Sequence, residues 1–289
     1  PEGDQGQPFF IWTNFWGPHT PCLLPKPYYS MYDPADIPEE PSFCETWANK
    51  PHVHELYERY WGLSSGGWEG WRQILARYWG YVTMIDDLVG RMLDELEALG
   101  LAENTLVIFT TDHGDQMGAH RLIEKGPFAY EETWRLPMIA AHPDVETPGS
   151  VCDDFVYLHD LFPTFQEVAG RAPHTEEDSA SILDQILGKD GASGGGASRG
   201  RGSVYGAFAS QIFPSPFRFV RTRTHTLVYN RVEIGELYDL VNDPHELHNL
   251  IDAPAAQGIK AELLDQMRAH MVRLDDPALR FFDGIRAVY

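Results

Sequence analysis

Thr111-Asp112-His113-Gly114-Asp115, followed by His120 and then Lys125-Gly126, is the stretch of this chain whose residue types could do chemistry. Asp112 offers a carboxylate oxygen, His113 an imidazole nitrogen, and Lys125 a positive charge on a flexible stem. Together they are the parts of a hard-cation site that faces an anion. Gly114 and Gly118 allow the backbone to turn tightly around them. Taken alone, Asp-His-Gly is more often a polar exit from a strand, with a solvated Asp and a capping His, so the rest of the chain must decide. His19, in Gly17-Pro18-His19-Thr20-Pro21, is a second candidate, read about equally as a proton-handling group and as a turn residue between two prolines.

The elements that must position these residues follow from periodicity. Thr105 to Phe109 is an apolar, β-rich run of strand length, so Asp112 and His113 fall where a strand gives way to a loop, the place where reactive groups gather in open α/β sheets. Pro8 to Phe15 is continuously apolar and predicts a buried strand that ends at Gly17. From there to about Pro51 the density of proline and aromatic residues excludes regular helix and central sheet, and predicts a long ordered loop of functional use. Trp68, Trp71, Leu75, Tyr78, Val82, Ile85, Val89, Met92, Leu96 and Leu99 recur at three- and four-residue steps, which predicts one long helix ended by Gly100. Asp86 and Asp87 within it read as surface or packing carboxylates rather than metal ligands.

Leu136 to Ala141 predicts another short strand, Tyr157 to Val168 a helix, and Ser181 to Leu187 a shorter one, and this alternation points to a largely parallel α/β sheet. Gly188 to Gly202 reads as a flexible linker whose Arg199 and Arg201 serve solubility. Beyond it come strand-like runs at Val204 to Ala209, Phe217 to Thr222, Thr226 to Asn230 and Glu236 to Leu240, then a helix from about Ala255 to Leu274. The expected organisation is therefore a main α/β part over residues 1–187, a linker over 188–202, and a small antiparallel α+β subdomain over 203–289.

With 289 residues the chain is long enough for a sizeable core plus an appendage, and its formal charge of −21 argues against nucleic acid and against an anionic membrane. An anionic substrate must then meet a locally positive pocket. Cys22, Cys44 and Cys152 are too scattered for a disulfide framework. No apolar stretch is long enough to span a bilayer, and Pro1-Glu2-Gly3-Asp4 lacks the basic and apolar regions of a signal peptide, which leaves the compartment open.

Across essentially its whole length the chain resembles the sulfatase family of the alkaline phosphatase superfamily. The matching pieces run in the family's order: Gly17-Pro18-His19-Thr20-Pro21, the segment Tyr81 to Leu93, Thr111 to Asp115, Gly118-Ala119-His120, Lys125-Gly126, His159 to Thr164, and finally Glu236 to Leu240 with Asn242 to Glu246. The resemblance implies an alkaline phosphatase-like, mainly parallel sheet flanked by helices, with a small C-terminal antiparallel subdomain. It implies metal-dependent hydrolysis of a sulfate monoester of a small molecule or carbohydrate. Asp112 and His113 would hold a divalent metal, commonly calcium. His113 stands where many members have Asn, and an imidazole also suits manganese or zinc. Lys125 would bind the sulfate oxygens, and His19 would lie close to the leaving ester oxygen as a sulfate-binding group or proton donor. His120 would contact substrate or, the favoured role, hold the loop. The family nucleophile is a formylglycine made from Cys or Ser in Cys/Ser-x-Pro-x-Arg, and none of the three cysteines fits that pattern. The chain is accordingly expected to be the C-terminal part of a sulfatase, inactive without an upstream nucleophile segment. The alternatives are a phosphonate monoester or phosphodiester hydrolase on the same metal frame, and a non-catalytic sulfatase-like subunit.

Overall fold

In the computed structural model residues 8–174, 178–189 and 200–285 are described. The described residues fall into two units, one within 8–39 and 68–99 and the other within 40–67 and 100–285. In chain order the first two helices are α1, His52–Trp61, and α2, Gly67–Ala98. No helix among the described residues is long and apolar enough to cross a membrane.

The first unit is built on α2. Trp68, Trp71, Leu75 and Ile85 of the predicted stripe are buried, with Tyr81 outside the stripe buried beside them, whereas Val82 and, at the far end, Met92 and Leu99 are exposed. The segment before the helix lies along it through close backbone approaches. A Cβ at Gly17 would come within 2.2 Å of the Tyr81 ring, and one at Gly80 within 2.2 Å of the Tyr28 carbonyl oxygen. Tyr28 Oη donates to Asp87 Oδ2 at 2.7 Å, and Tyr32 Oη shares a hydrogen bond of 2.8 Å with Thr83 Oγ1. Asp87 is thus a packing carboxylate. The proline-rich stretch forms only short 3-10 turns, Tyr28–Ser30 and Pro34–Asp36 here and Pro41–Cys44 in the second unit. Pro8 to Phe15 is not the predicted buried strand. It has no regular structure, and Phe10, Ile11 and Trp12 are 66, 73 and 60% exposed. An apolar run becomes a strand only when another strand completes its ladder, and none of the described strands pairs with this one.

In the second unit β1, Val107–Thr110, pairs with β2, Met138–Ala141, with Thr110 opposite Met138. The pairing is antiparallel, where the alternation of strand and helix predicted parallel neighbours. The connection explains the difference: residues 111–137 form a folded loop with one short helix, α3 (Glu131–Trp134), rather than the helical crossover that parallel strands need. Two further helices follow, α4 (Leu161–Val168) and α5 (Leu183–Leu187).

The C-terminal strands form one antiparallel sheet in the order β3 (Ser203–Phe208), β4 (Phe217–Thr222), β5 (His225–Asn230), β6 (Glu236–Asp239). Side chains alternate across it as strand geometry demands. Val220, Leu227 and Leu237 pack against Leu263, Met267 and Met271 of α6 (Gln257–Arg273) and Phe282 of α7 (Leu279–Ile285). On the opposite face Phe217, Phe219 and Val228 pack on Ala129, and Tyr238 joins Tyr57, Leu122, Phe128 and Tyr130. This face is the floor beneath residues 122–134.

Most of the expected linker over 188–202, residues 190–199 with Arg199 among them, lies outside the described residues. Arg201 is not a solubilising surface residue. Its guanidinium donates two hydrogen bonds of 2.7 Å to the two oxygens of fully buried Asp160, and a third to the Asp178 carbonyl.

Candidate functional site

Asp112 and His113 leave the end of β1 in a tight local frame. The His113 backbone N–H donates to Asp112 Oδ1 at 3.0 Å, and Thr111 Oγ1 donates to the His113 carbonyl at 3.1 Å. His113 Nδ1 lies 2.8 Å from the Gly114 carbonyl oxygen. A carbonyl only accepts, so Nδ1 carries the proton and Nε2 presents its lone pair, the arrangement by which a second partner orients an imidazole ligand. Nε2 is 3.7 Å from Asp112 Oδ2, with the two side chains 34 and 84% exposed. That separation is within reach of two bonds of about 2.0–2.4 Å to one cation. Among the described residues no group of three or more His, Cys, Asp or Glu side chains is placed to hold a metal ion.

The loop carrying this pair is strapped to α3. A Cβ at Gly114 would stand 1.8 Å from the Glu132 carbonyl oxygen, and the Gly114 N–H donates to the Thr133 carbonyl at 2.9 Å. Only glycine permits that approach. Thr133 is a shared node: its Oγ1 accepts from Gln116 Nε2 at 2.8 Å and donates to the Lys125 carbonyl at 3.3 Å. The backbone around His113 and the backbone at Lys125 are therefore held by one residue.

Residues 115–125 close on themselves. Gln116 N–H donates to the Glu124 carbonyl and Gly118 N–H to the Leu122 carbonyl, both at 2.9 Å. Gly118 takes a φ of 100°, a conformation that favours glycine. Asp115 Oδ1 accepts from the N–H groups of Met117 and Glu124 at 3.1 and 2.8 Å. Burial pushes its carboxyl above the usual range in spite of those bonds and the nearby Lys125 charge. Leu122 is fully buried, which pins the tip of the loop and leaves Lys125 half-buried at its end.

His120 sits in the interior. Its ring stacks on Tyr130 with centroids 3.8 Å apart, Nδ1 is 3.0 Å from Glu45 Oε2, and its N–H donates to Ser42 Oγ. These contacts tie the loop to Ser42, Glu45 and Tyr130 and leave the ring fully buried. Burial pushes the imidazole down to about 4, so at neutral pH it is uncharged and donates its Nδ1 proton to Glu45. Burial pushes Glu45 up, but the His120 hydrogen bond and the Lys50 charge outweigh it and hold the carboxyl at about 2. Lys50 and Glu45 form a buried ion pair at 3.3 Å; Lys50 also donates to Tyr130 Oη at 3.1 Å and lies 4.5 Å from the centre of the Tyr238 ring. Below α3, Arg221 grips both oxygens of Glu131 at 2.6 and 2.7 Å, and buried Glu246 accepts the Glu131 N–H at 2.8 Å.

The loop from 111 to 134 thus brings Asp112, His113, His120 and Lys125 into one framework. His19 belongs to the first unit, where Nδ1 lies 2.7 Å from the Thr20 carbonyl and the ring is 5.6 Å from that of Trp16. Sequence reasoning passed over Thr133, Lys50, Glu45 and Glu132. Burial pushes the Glu132 carboxyl up to about 7, beside the backbone that meets Gly114. Carboxyls so perturbed concentrate at functional sites.

The family model for Sulfatase matches residues 2–171, and that for N-sulphoglucosamine sulphohydrolase, C-terminal, matches residues 118–273. The chain is 31% identical over 281 residues to the uncharacterized sulfatase YidJ of Escherichia coli (strain K12), covering 94% of this chain and 52% of that protein. It spans about half the length of that relative. A protein solved in complex with its substrate D-glucosamine-2-N,6-O-disulfate superimposes with a TM-score of 0.79 at 19% identity, covering 90% of this chain and 64% of the other. The phosphonate monoester hydrolase of Agrobacterium radiobacter gives 0.75 at 22% identity, covering 93 and 58%. These likenesses establish an alkaline phosphatase-like α/β fold.

Proposed function

The chain belongs to the sulfatase family, and from that membership we propose that it carries the metal- and anion-binding part of a sulfuric-ester hydrolase. The observation that carries this reading is the pairing of Asp112 Oδ2 with His113 Nε2 at 3.7 Å, on a loop tied through Thr133 to Lys125. Asp112 and His113 are assigned as ligands of a divalent cation, calcium in the first instance, with manganese or zinc as alternatives that the imidazole suits. Such an ion, when bound, supplies positive charge toward the oxygens of the ester. Lys125 is assigned to the anionic oxygens, where a fixed cation stabilises charge that spreads as the ester bond breaks. His120 holds the loop from within. His19 is assigned to the leaving oxygen as proton donor or anion contact, on the family resemblance alone. The substrate class is a sulfate monoester of a small molecule or carbohydrate.

None of Cys22, Cys44 and Cys152 lies in a Cys-x-Pro-x-Arg context, so no cysteine here fits a formylglycine. A covalent mechanism without its nucleophile keeps only its electrostatic part. The 289-residue chain is therefore expected to bind Ca²⁺ or Mn²⁺ while hydrolysing an aryl sulfate no faster than background. Calorimetric titration of each metal should show at least about tenfold weaker binding in Asp112→Ala and in His113→Ala. Equal affinity in wild type and both variants defeats the metal assignment, and chelator-insensitive turnover of the aryl sulfate defeats the account of the chemistry. Phosphonate monoester or phosphodiester hydrolysis is the second reading, favoured by the imidazole at position 113. Its signature is a preference for phosphonate over sulfate esters once a nucleophile is supplied.

A further inference from the structure

Between the β4–β5 pair and the start of α7 lies a cavity of about 200 Å³ walled by Pro216, Phe217, Tyr229, Pro277 and Phe281. Three arginines border it, Arg218, Arg231 and Arg280. Arg218 is committed to the fold: Nε and Nη2 bond the two oxygens of Asp276 at 2.7 and 3.0 Å, and Nη1 bonds the Phe217 carbonyl at 3.0 Å. Arg231 and Arg280 differ. Neither has a carboxylate partner among the described residues, and each places its guanidinium near the Phe281 ring, 3.9 and 4.6 Å from its centroid. In a chain with 43 acidic against 22 basic side chains, two arginines beside one apolar cavity with no carboxylate between them run against the overall charge. A guanidinium that lies near an aromatic ring keeps in-plane N–H donors for an anion, and the adjoining apolar wall strengthens such a bond by excluding water.

We infer that this cavity is a binding site for a single ring bearing one anionic group, the ring seated on Phe281, Tyr229 and the two prolines and the anion held by Arg231 and Arg280. The volume sets the size. A cavity of about 150 Å³ holds benzene, whereas pockets for larger ligands begin at about 300 Å³, so one ring fits and an oligomer does not. The site shares no residue with the Asp112 to Lys125 loop, and stands whether or not that loop handles sulfate esters.

Phenyl sulfate and glucose 6-sulfate, titrated into the 289-residue chain at constant ionic strength and followed by amide chemical shifts, separate an aromatic from a sugar ring. Saturable shifts of the amides around Tyr229 and Phe281 are expected with at least one, weakened at least about tenfold in the double variant Arg231→Gln/Arg280→Gln and kept in Lys125→Ala. Inorganic sulfate should bind at least about tenfold more weakly than the ring-bearing anion. The inference is overturned if neither ring anion saturates, if the folded double variant binds as wild type does, if the loss follows Lys125→Ala instead, or if inorganic sulfate binds equally well.

Discussion

Replacing Glu132 by Gln should stabilise the protein at alkaline pH and leave it unchanged at acid pH. Glu132 Oε2 is buried without a hydrogen-bond partner, and burial, followed by the charges of Glu40 and Glu131, pushes the carboxyl from 4.5 up to about 7. The folded state therefore holds this proton more tightly than the unfolded chain does. Stability from that proton is complete below about pH 4.5 and is lost as the pH rises through about 7. Each tenfold difference in proton affinity is worth about 1.4 kcal/mol, so the span from 4.5 to about 7 corresponds to about 3 kcal/mol, an upper value because Glu131 shares the local field. Gln has the shape of the protonated acid and removes the titration. Urea unfolding of wild type and Glu132→Gln at pH 4.5 and pH 8 measures the effect. The variant should gain about 2–3 kcal/mol at pH 8 and differ by less than about 0.5 kcal/mol at pH 4.5. An equal difference at both pH values, or a loss at pH 8, would refute the reasoning.

Two further substitutions probe the frame around the site. Lys50→Met leaves Glu45 buried without its cation and should cost about 3–5 kcal/mol in urea unfolding at neutral pH, with part of the loss restored by Glu45→Gln in the same chain; a cost below about 1 kcal/mol would mean that the pair is not the counter-charge of this interior. Gly114→Ala drives a Cβ to 1.8 Å from the Glu132 carbonyl, so the loop must shift; stability should fall by about 1–3 kcal/mol and metal affinity should fall with it. A variant that keeps both would show that the strap to α3 is slack.

What could be read from the sequence is what depends on near neighbours. β4 was bounded to the residue, β3, β5, β6 and α6 to within two residues, because alternation and helical period are local signals. Asp112 and His113 fell at a strand end for the same reason. Pro8 to Phe15 misled because an apolar run says nothing about whether a partner strand is at hand. The antiparallel β1–β2 pair misled because the length of a connection does not reveal whether it is a crossover helix. α1 was missed since its buried face includes His54 and Glu58 beside Val53 and Tyr57, which blurs the apolar stripe. The interior around Lys50 was invisible. Its partners lie at Glu45, Tyr130 and Glu246, and a charge that is buried in the fold is indistinguishable in sequence from one that is solvated. Thr133 acts through one hydroxyl and one carbonyl, and no residue pattern announces that.

The floor that β4, β5 and β6 provide beneath residues 122–134 bears on how this chain could be shortened. Ala129 rests on Phe217, Phe219 and Val228, Tyr130 packs with Tyr238, and Glu131 is gripped by Arg221. The segment that carries Lys125 and braces Gly114 is thus supported by residues that come up to about 110 positions later in the chain. A protease nick or a stop codon just before Ser203 would spare every ligand and anion-binding residue named for the loop, yet it would remove the surface on which that loop is moulded. The stretch that looks most like a dispensable C-terminal appendage is the part that trimming would forfeit first, and a minimal fragment of this chain must run through α7 to keep the Asp112 loop in shape.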